Sequence, residues 1–153
     1  MTYLELVRYI KELGLTQANT HSVVNLFTDL NREDATYSAL VLQPREHLRT
    51  GDLMTYRFYL GYVDRLVSSK DNALEIESTG ITIINNLVNI LANNVNVAQV
   101  TTGQYIVFTQ RFLAECAGVY AELGITLPVT DCSFPTALPT GDFNFDYNSD
   151  FKI

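Results

Sequence analysis

Apolar positions recur along this chain with two different periods, and the changes of period mark its elements. Over residues 2–13, Leu4, Val7 and Ile10 follow at steps of three with Leu6 and Leu13 beside them, the stripe of an amphipathic helix. Thr2 followed by Glu5 is a capping-box pattern for its start, and Gly14 is placed to cap its end. Residues 15–34 carry Val23, Val24, Leu26, Phe27 and Leu30, a set that fits either a helical stripe or a short strand near 24–26. Residues 37–43 are apolar and close at Pro44, which has no N–H for a ladder, so a strand ends or forms an edge there.

The clearest alternation runs over residues 53–67. Tyr56, Phe58, Leu60 and Tyr62 share one face against Thr55, Arg57, Tyr59 and Gly61 on the other, which predicts a strand with its first face buried. After a turn at 69–72, Leu74, Ile81, Ile84, Leu87, Val88 and Leu91 return to helical spacing and predict a helix to about residue 92. Gly80 inside it costs about 1 kcal/mol relative to Ala, so it marks a place where a neighbour comes close. Residues 93–103 are polar and read as a loop. Two strands follow, 104–113 and 119–127, as a hairpin turning near Ala117 and Gly118. The order helix, strand, strand, helix, strand, strand predicts an α+β domain over residues 1–129, a mostly antiparallel four-stranded sheet with helices on one face.

Residues 130–153 change character. Pro135, Pro139 and Gly141 interrupt regular structure, and Asp, Asn, Ser and Thr alternate with aromatics, so this stretch reads as an extended C-terminal arm. Phe134, Phe143, Phe145, Tyr147 and Phe151 are its candidate assembly contacts, because an irregular polar segment has no core of its own in which to bury them. They dock either on the parent domain or on a neighbouring subunit.

Charge and composition narrow the classes of function. With 47% hydrophobic and 18% charged residues the chain is globular. Its net charge of −7, of which the arm supplies −3 through four Asp against one Lys, argues against nucleic acid as a specific partner, since that binding draws on Lys and Arg. No apolar run approaches the ~18 residues of a membrane span, and Glu5 and Arg8 are unlike a secretory leader, so assembly in a cytosol is expected. Cys116 and Cys132 have no metal-ligand spacing and are expected as buried thiols; His21 and His47 stand apart, as solvated loop residues. No metal or cofactor is called for.

Carboxylates are the only candidates for catalysis. Asp64, Asp71, Glu75 and Glu77 fall around the junction of the long strand and the long helix. Acids in a helix's first turn answer its dipole, however, and Asp64 beside Arg65 fits a strand-end ion pair, so a structural role is the better reading and no catalytic residue is assigned.

Four stretches resemble a known family: Met1-Thr2-Tyr3-Leu4-Glu5-Leu6-Val7, then Tyr56 through Leu66 ending in Val63-Asp64-Arg65-Leu66, then Asn72-Ala73-Leu74-Glu75-Ile76-Glu77-Ser78-Thr79, then Ala117-Gly118-Val119 through Cys132-Ser133-Phe134-Pro135. Together they are similar to the small tail-completion or neck proteins of tailed bacteriophages that infect Bacteroidetes. The resemblance implies a structural virion protein, a homo-oligomeric ring between portal and tail tube that contacts portal, connector or tail proteins and lets DNA pass through. Two other classes stay open at this point: an enzyme or small-ligand domain built on Asp64 and Glu75, and a cellular adaptor that binds a peptide along a sheet edge.

Overall fold

A computed structural model describes residues 1–111 and 114–129. The chain begins with helix α1 (Tyr3–Thr16), whose start is the expected box: Glu5 N donates to Thr2 Oγ1 at 3.3 Å and Thr2 N donates to Glu5 Oε2 at 2.6 Å. Helix α1 runs past Gly14 and is capped by Gln17. The reason is spatial. A Cβ on Gly14 would lie 2.7 Å from Leu40 Cδ2, so the glycine lets the helix lie against the sheet instead of ending it.

Six strands form one mixed sheet where four antiparallel ones were expected. They are β1 (Ser22–Val24), β2 (Ala39–Pro44), β3 (Leu48–Thr50), β4 (Leu53–Arg65), β5 (Gln99–Arg111) and β6 (Glu115–Pro128), in spatial order β1-β2-β4-β6-β5 with β3 also on β4. β1 pairs with β2 in parallel; all other pairings are antiparallel. Both β2 and β3 lie along β4, and Arg45 N donates to Arg57 O at 2.8 Å between them, so they form one strand interrupted after Pro44. β3 returns into β4 through the two-residue turn Gly51-Asp52, with Gly51 at φ +59°.

The open question over residues 15–34 resolves into both alternatives: β1 is short, and a 3-10 turn spans Phe27–Asn31. Here the parallel connection from β1 to β2 crosses the sheet. The hairpin is also longer than expected. β5 starts at Gln99, inside the predicted loop, and Ala117 and Gly118 lie within β6, buried, rather than at the turn. Gly118 is a packing glycine, because a Cβ there would strike the Tyr62 carbonyl and approach the Phe108 ring to 2.7 Å.

Both helices cover one face, as expected. α2 (Ala73–Ala92) brings Ile84, Leu87 and Leu91, and α1 brings Leu6, Ile10 and Leu13, onto Leu40 and Leu42 of β2, Phe58 and Leu60 of β4, and Val119, Ala121, Leu123, Ile125 and Leu127 of β6. Tyr62 is buried there too, while Tyr56 remains half-buried, so the predicted face of β4 is the core face. Gly80 sits where α2 presses on Tyr62 and Val119.

Candidate interaction surface

The second face of the sheet is only half covered. At one end it is built of small and apolar residues, Gly61, Val63, Cys116 and Gly118, and there the crossover lays Leu30 and Phe27 against Ala39, Val41 and Phe108. Phe27 fits because Gly61 has no side chain; a Cβ there would be 2.9 Å from its ring. Phe27 N donates to Gln43 Oε1 at 3.2 Å, and Leu26 N to Asp29 Oδ2 at 3.1 Å, which pin the crossover.

Towards the other end the same face turns polar and open. Tyr120 bridges the two halves, 5.7 Å from Phe27 and 5.6 Å edge-on from Tyr59. Arg45 lies over the Tyr59 ring at 4.6 Å and donates from Nη1 to Glu122 Oε1 at 2.6 Å. Its side chain is 24% exposed and that of Glu122 44% exposed, so the pair is partly desolvated. Beside it, Tyr59, Gln104, Ile106, Tyr120 and Glu122 line an open recess of about 290 Å³. Thr55 and Thr126 complete this face with a hydroxyl–hydroxyl bond of 2.8 Å.

The recess opens onto the edge of β5. Among the described residues that edge pairs with no strand, Ile106 is 43% exposed and Val107 50% exposed, and residues 99–110 contain no Asp, Glu, Lys or Arg. Long β edges of soluble proteins are ordinarily blunted by charge, proline or brevity, as the three-residue β1 blunts the opposite side. β5 has one irregularity, a bulge between Thr102 and Tyr105, and its ladder is regular from Tyr105 to Arg111.

The sequence-predicted carboxylates do meet, in part. Asp64 and Glu75 line a second open recess of about 260 Å³ with Tyr62, Asn72, Ile76 and Thr79; Asp71 and Glu77 are not in it. Both acids have structural work. Asp64 Oδ1 accepts from Arg65 N at 2.8 Å, and exposed Glu75 stands in the first turn of α2. The anticipated Asp64–Arg65 ion pair does not form: the guanidinium lies over the Tyr37 ring at 4.9 Å instead. Asn72 joins strand to helix, donating to Arg65 O and accepting from Val67 N, each at 3.0 Å. Among the described residues no three potential ligands gather as a metal site would require.

Both histidines lie in loops, as expected, and each clasps backbone; His21 is exposed, whereas His47 is partly buried. His21 Nδ1 accepts from Ser38 N and His47 Nδ1 from Arg57 N, each at 3.2 Å. His47 packs among Tyr3, Tyr56 and Phe58, and this burial holds its pKa below the ordinary imidazole value. Cys116 is buried as expected, and burial raises the pKa of its thiol and that of the neighbouring Tyr37 phenol.

Phe134, Phe143, Phe145, Tyr147, Phe151 and Cys132 lie outside the described residues. The β5 edge and the polar half of the second face were not foreseen as a site. A signal existed in the uncharged run 99–110, which the polar residues at its start disguised as loop. No described helix is long and apolar enough to cross a membrane. No protein-family model matches the chain, and no curated protein does.

Proposed function

We propose that this chain is a structural virion protein that assembles with copies of itself into a ring in the neck or tail of a tailed bacteriophage, as a tail terminator, head–tail connector or tail-ring subunit. Portal, connector or tail proteins are its further partners, assembly takes place in the host cytoplasm, and the protein catalyses no reaction. The observation that carries this reading is the β5 edge: a long strand, uncharged over residues 99–110, with exposed Ile106 and Val107 and bordered by an aromatic recess, is a template for joining another chain. Two sequence features support the phage assignment. One is the likeness of the four stretches between residues 1 and 135 to neck and tail-completion proteins; the other is a net charge of −7, which suits a ring that lets a genome slide past without holding its phosphates.

The test is the assembly state of the full chain. Sedimentation velocity over a range of concentrations, with electron microscopy of the product and of particles that contain it, is expected to give a closed ring with a head-to-tail contact. A complex with two-fold self-contacts alone, or a chain absent from the particle's head–tail junction, overturns the reading. The same edge favours a cellular adaptor as the second reading; that protein would stay monomeric at all concentrations and take up an extended peptide of a different protein.

A further inference from the structure

The β5 edge needs an occupant, and the sequence beyond the described residues offers one. In residues 143–151, Phe143, Phe145, Tyr147, Ser149 and Phe151 alternate with Asn144, Asp146, Asn148 and Asp150. That is the period of a strand with an aromatic face and an acid/amide face, and the stretch contains neither Pro nor Gly. It is nine residues long, against the seven of the regular ladder of β5 from Tyr105 to Arg111.

We propose that residues 143–151 of one subunit add as an extra strand to the outer edge of β5 on a neighbouring subunit, with their aromatic side chains laid on the open face of that sheet. The partition of side chains by face sets the orientation. On the helix side Tyr105 is tied to α2, its hydroxyl donating to Asn85 at 2.6 Å, and Val107 is left exposed beside it. On the other side Ile106 and Phe108 border the recess and the band formed by Tyr120, Phe27 and Tyr59, so aromatic rings from an added strand extend a surface of their own kind. The added strand opposes no like charge, because residues 99–110 carry none and Arg111 is basic against its acids.

The length of chain beyond the domain lets the strand reach a neighbour. Val129 N donates to Asp52 O at 2.7 Å, so the last described residue is still held on the β4 side of β6. The thirteen residues 130–142 span up to about 45 Å when extended, enough to reach an adjacent subunit. Donor and acceptor are then different surfaces, so unless two subunits exchange tails reciprocally the contact is heterologous and repeats head to tail, the arrangement that closes into a ring. This step from strand pairing to neighbour rests on the assembly reading above.

Two full-length variants test it. Phe145→Pro removes a ladder donor from the tail and leaves the β5 edge intact; Ile106→Lys puts a charge on the edge and leaves the tail intact, with Val107→Asp as a second edge variant, on the face where the acids of the tail would lie. A synthetic peptide of residues 140–153 is titrated into each isotope-labelled protein and followed by amide shifts. The Phe145→Pro protein is expected to bind the peptide with shifts and slowed amide exchange centred on residues 105–111, and the Ile106→Lys and Val107→Asp variants to bind it at least about tenfold more weakly. Mixing Phe145→Pro with Ile106→Lys is expected to give a one-to-one complex and nothing larger, since that pair retains one working tail and one working edge.

Shifts elsewhere, or no binding to the Phe145→Pro protein, overturn the strand addition whether or not the wild-type chain forms rings. A Phe145→Pro protein that melts lower than wild type while wild type remains a monomer at all concentrations shows the tail pairing within its own chain, which overturns donation to a neighbour. Peptide binding at residues 105–111 in a chain that assembles with two-fold contacts alone upholds the tail–edge pairing and overturns the ring reading instead.

Discussion

Gly80→Ala is expected to destabilise the protein, although the same change at an open helix position would stabilise it. In the middle of a helix, Ala is better than Gly by about 1 kcal/mol. At residue 80, however, an added Cβ would lie 3.0 Å from Tyr62 Cδ1 and 3.3 Å from Tyr62 Cβ, and nearer still to Val119 Cγ1. Neither neighbour yields easily. Tyr62 is 6% exposed, and Val119 is fully buried with a χ1 that β-branching restricts. Relief therefore comes from moving α2 away from the sheet, an overpacking cost of about 1–3 kcal/mol. Set against the propensity gain, the net loss is up to about 2 kcal/mol. With a urea dependence of about 1–3 kcal/mol per molar, a loss of 1 kcal/mol lowers the midpoint by roughly 0.3–1 M. Val119→Ala removes the nearest atom, so the double variant should be more stable than the two single changes predict by about 0.5 kcal/mol or more. A urea midpoint that rises for Gly80→Ala, or a cycle that is additive, would refute the close approach of helix and sheet.

Leu60→Asp places a charge in the core and should cost about 4 kcal/mol or more, whereas Thr55→Asp on the open face should cost about 1–2 kcal/mol through loss of its bond to Thr126; equal losses in melting temperature would mean the register of β4 is wrong. Tyr37 and Cys116 both have folded pKa values raised above their ordinary 10.0 and 9.0, so their contribution is complete below about pH 9 and is lost as pH rises through the folded values. The melting temperature should therefore fall above about pH 9, less steeply in Tyr37→Phe; a flat alkaline profile would contradict the burial of both groups. Arg45→Ala and Glu122→Gln in a double-mutant cycle should show a coupling of about 0.5–1 kcal/mol that shrinks with added salt, and a coupling of zero at low salt would mean the pair is not formed in solution.

What could be read from the chain was whatever repeats locally. The stripe of α1 and its Thr2–Glu5 box, the alternation of β4 and the helix around Ile84 and Leu87 each declare themselves within a few turns or pleats. The errors lie where tertiary packing decides. Gly14 and Gly118 were expected at a helix end and a turn but are holes that Leu40, Phe108 and the Tyr62 carbonyl fill, and nothing in their neighbouring residues announces those partners. β3 has three exposed residues and exists because β4 is there to pair with it. The start of β5, Gln99-Val100-Thr101-Thr102, is strand by virtue of β6, while its polarity reads as loop. As for the site, the aromatics of an irregular polar segment directed attention to the arm, whereas the β5 edge emerges only from the strand order: periodicity says that a segment is a strand but not that one of its sides is left unpaired.

The placing of β6 has a mechanical consequence. It lies between β4 and β5 and runs antiparallel to both, and it is the strand from which the chain continues beyond Val129. A pull on that end is directed along the strand. The hydrogen bonds of both ladders then resist it together, in shear, rather than opening one after another from an edge. How long a domain survives a pull is set by its unfolding rate and not by its equilibrium stability. A subunit hung from its neighbours by the continuation of β6 would carry tension through the most firmly held strand of its sheet, while the edge strand is left free to give way first at a contact between subunits.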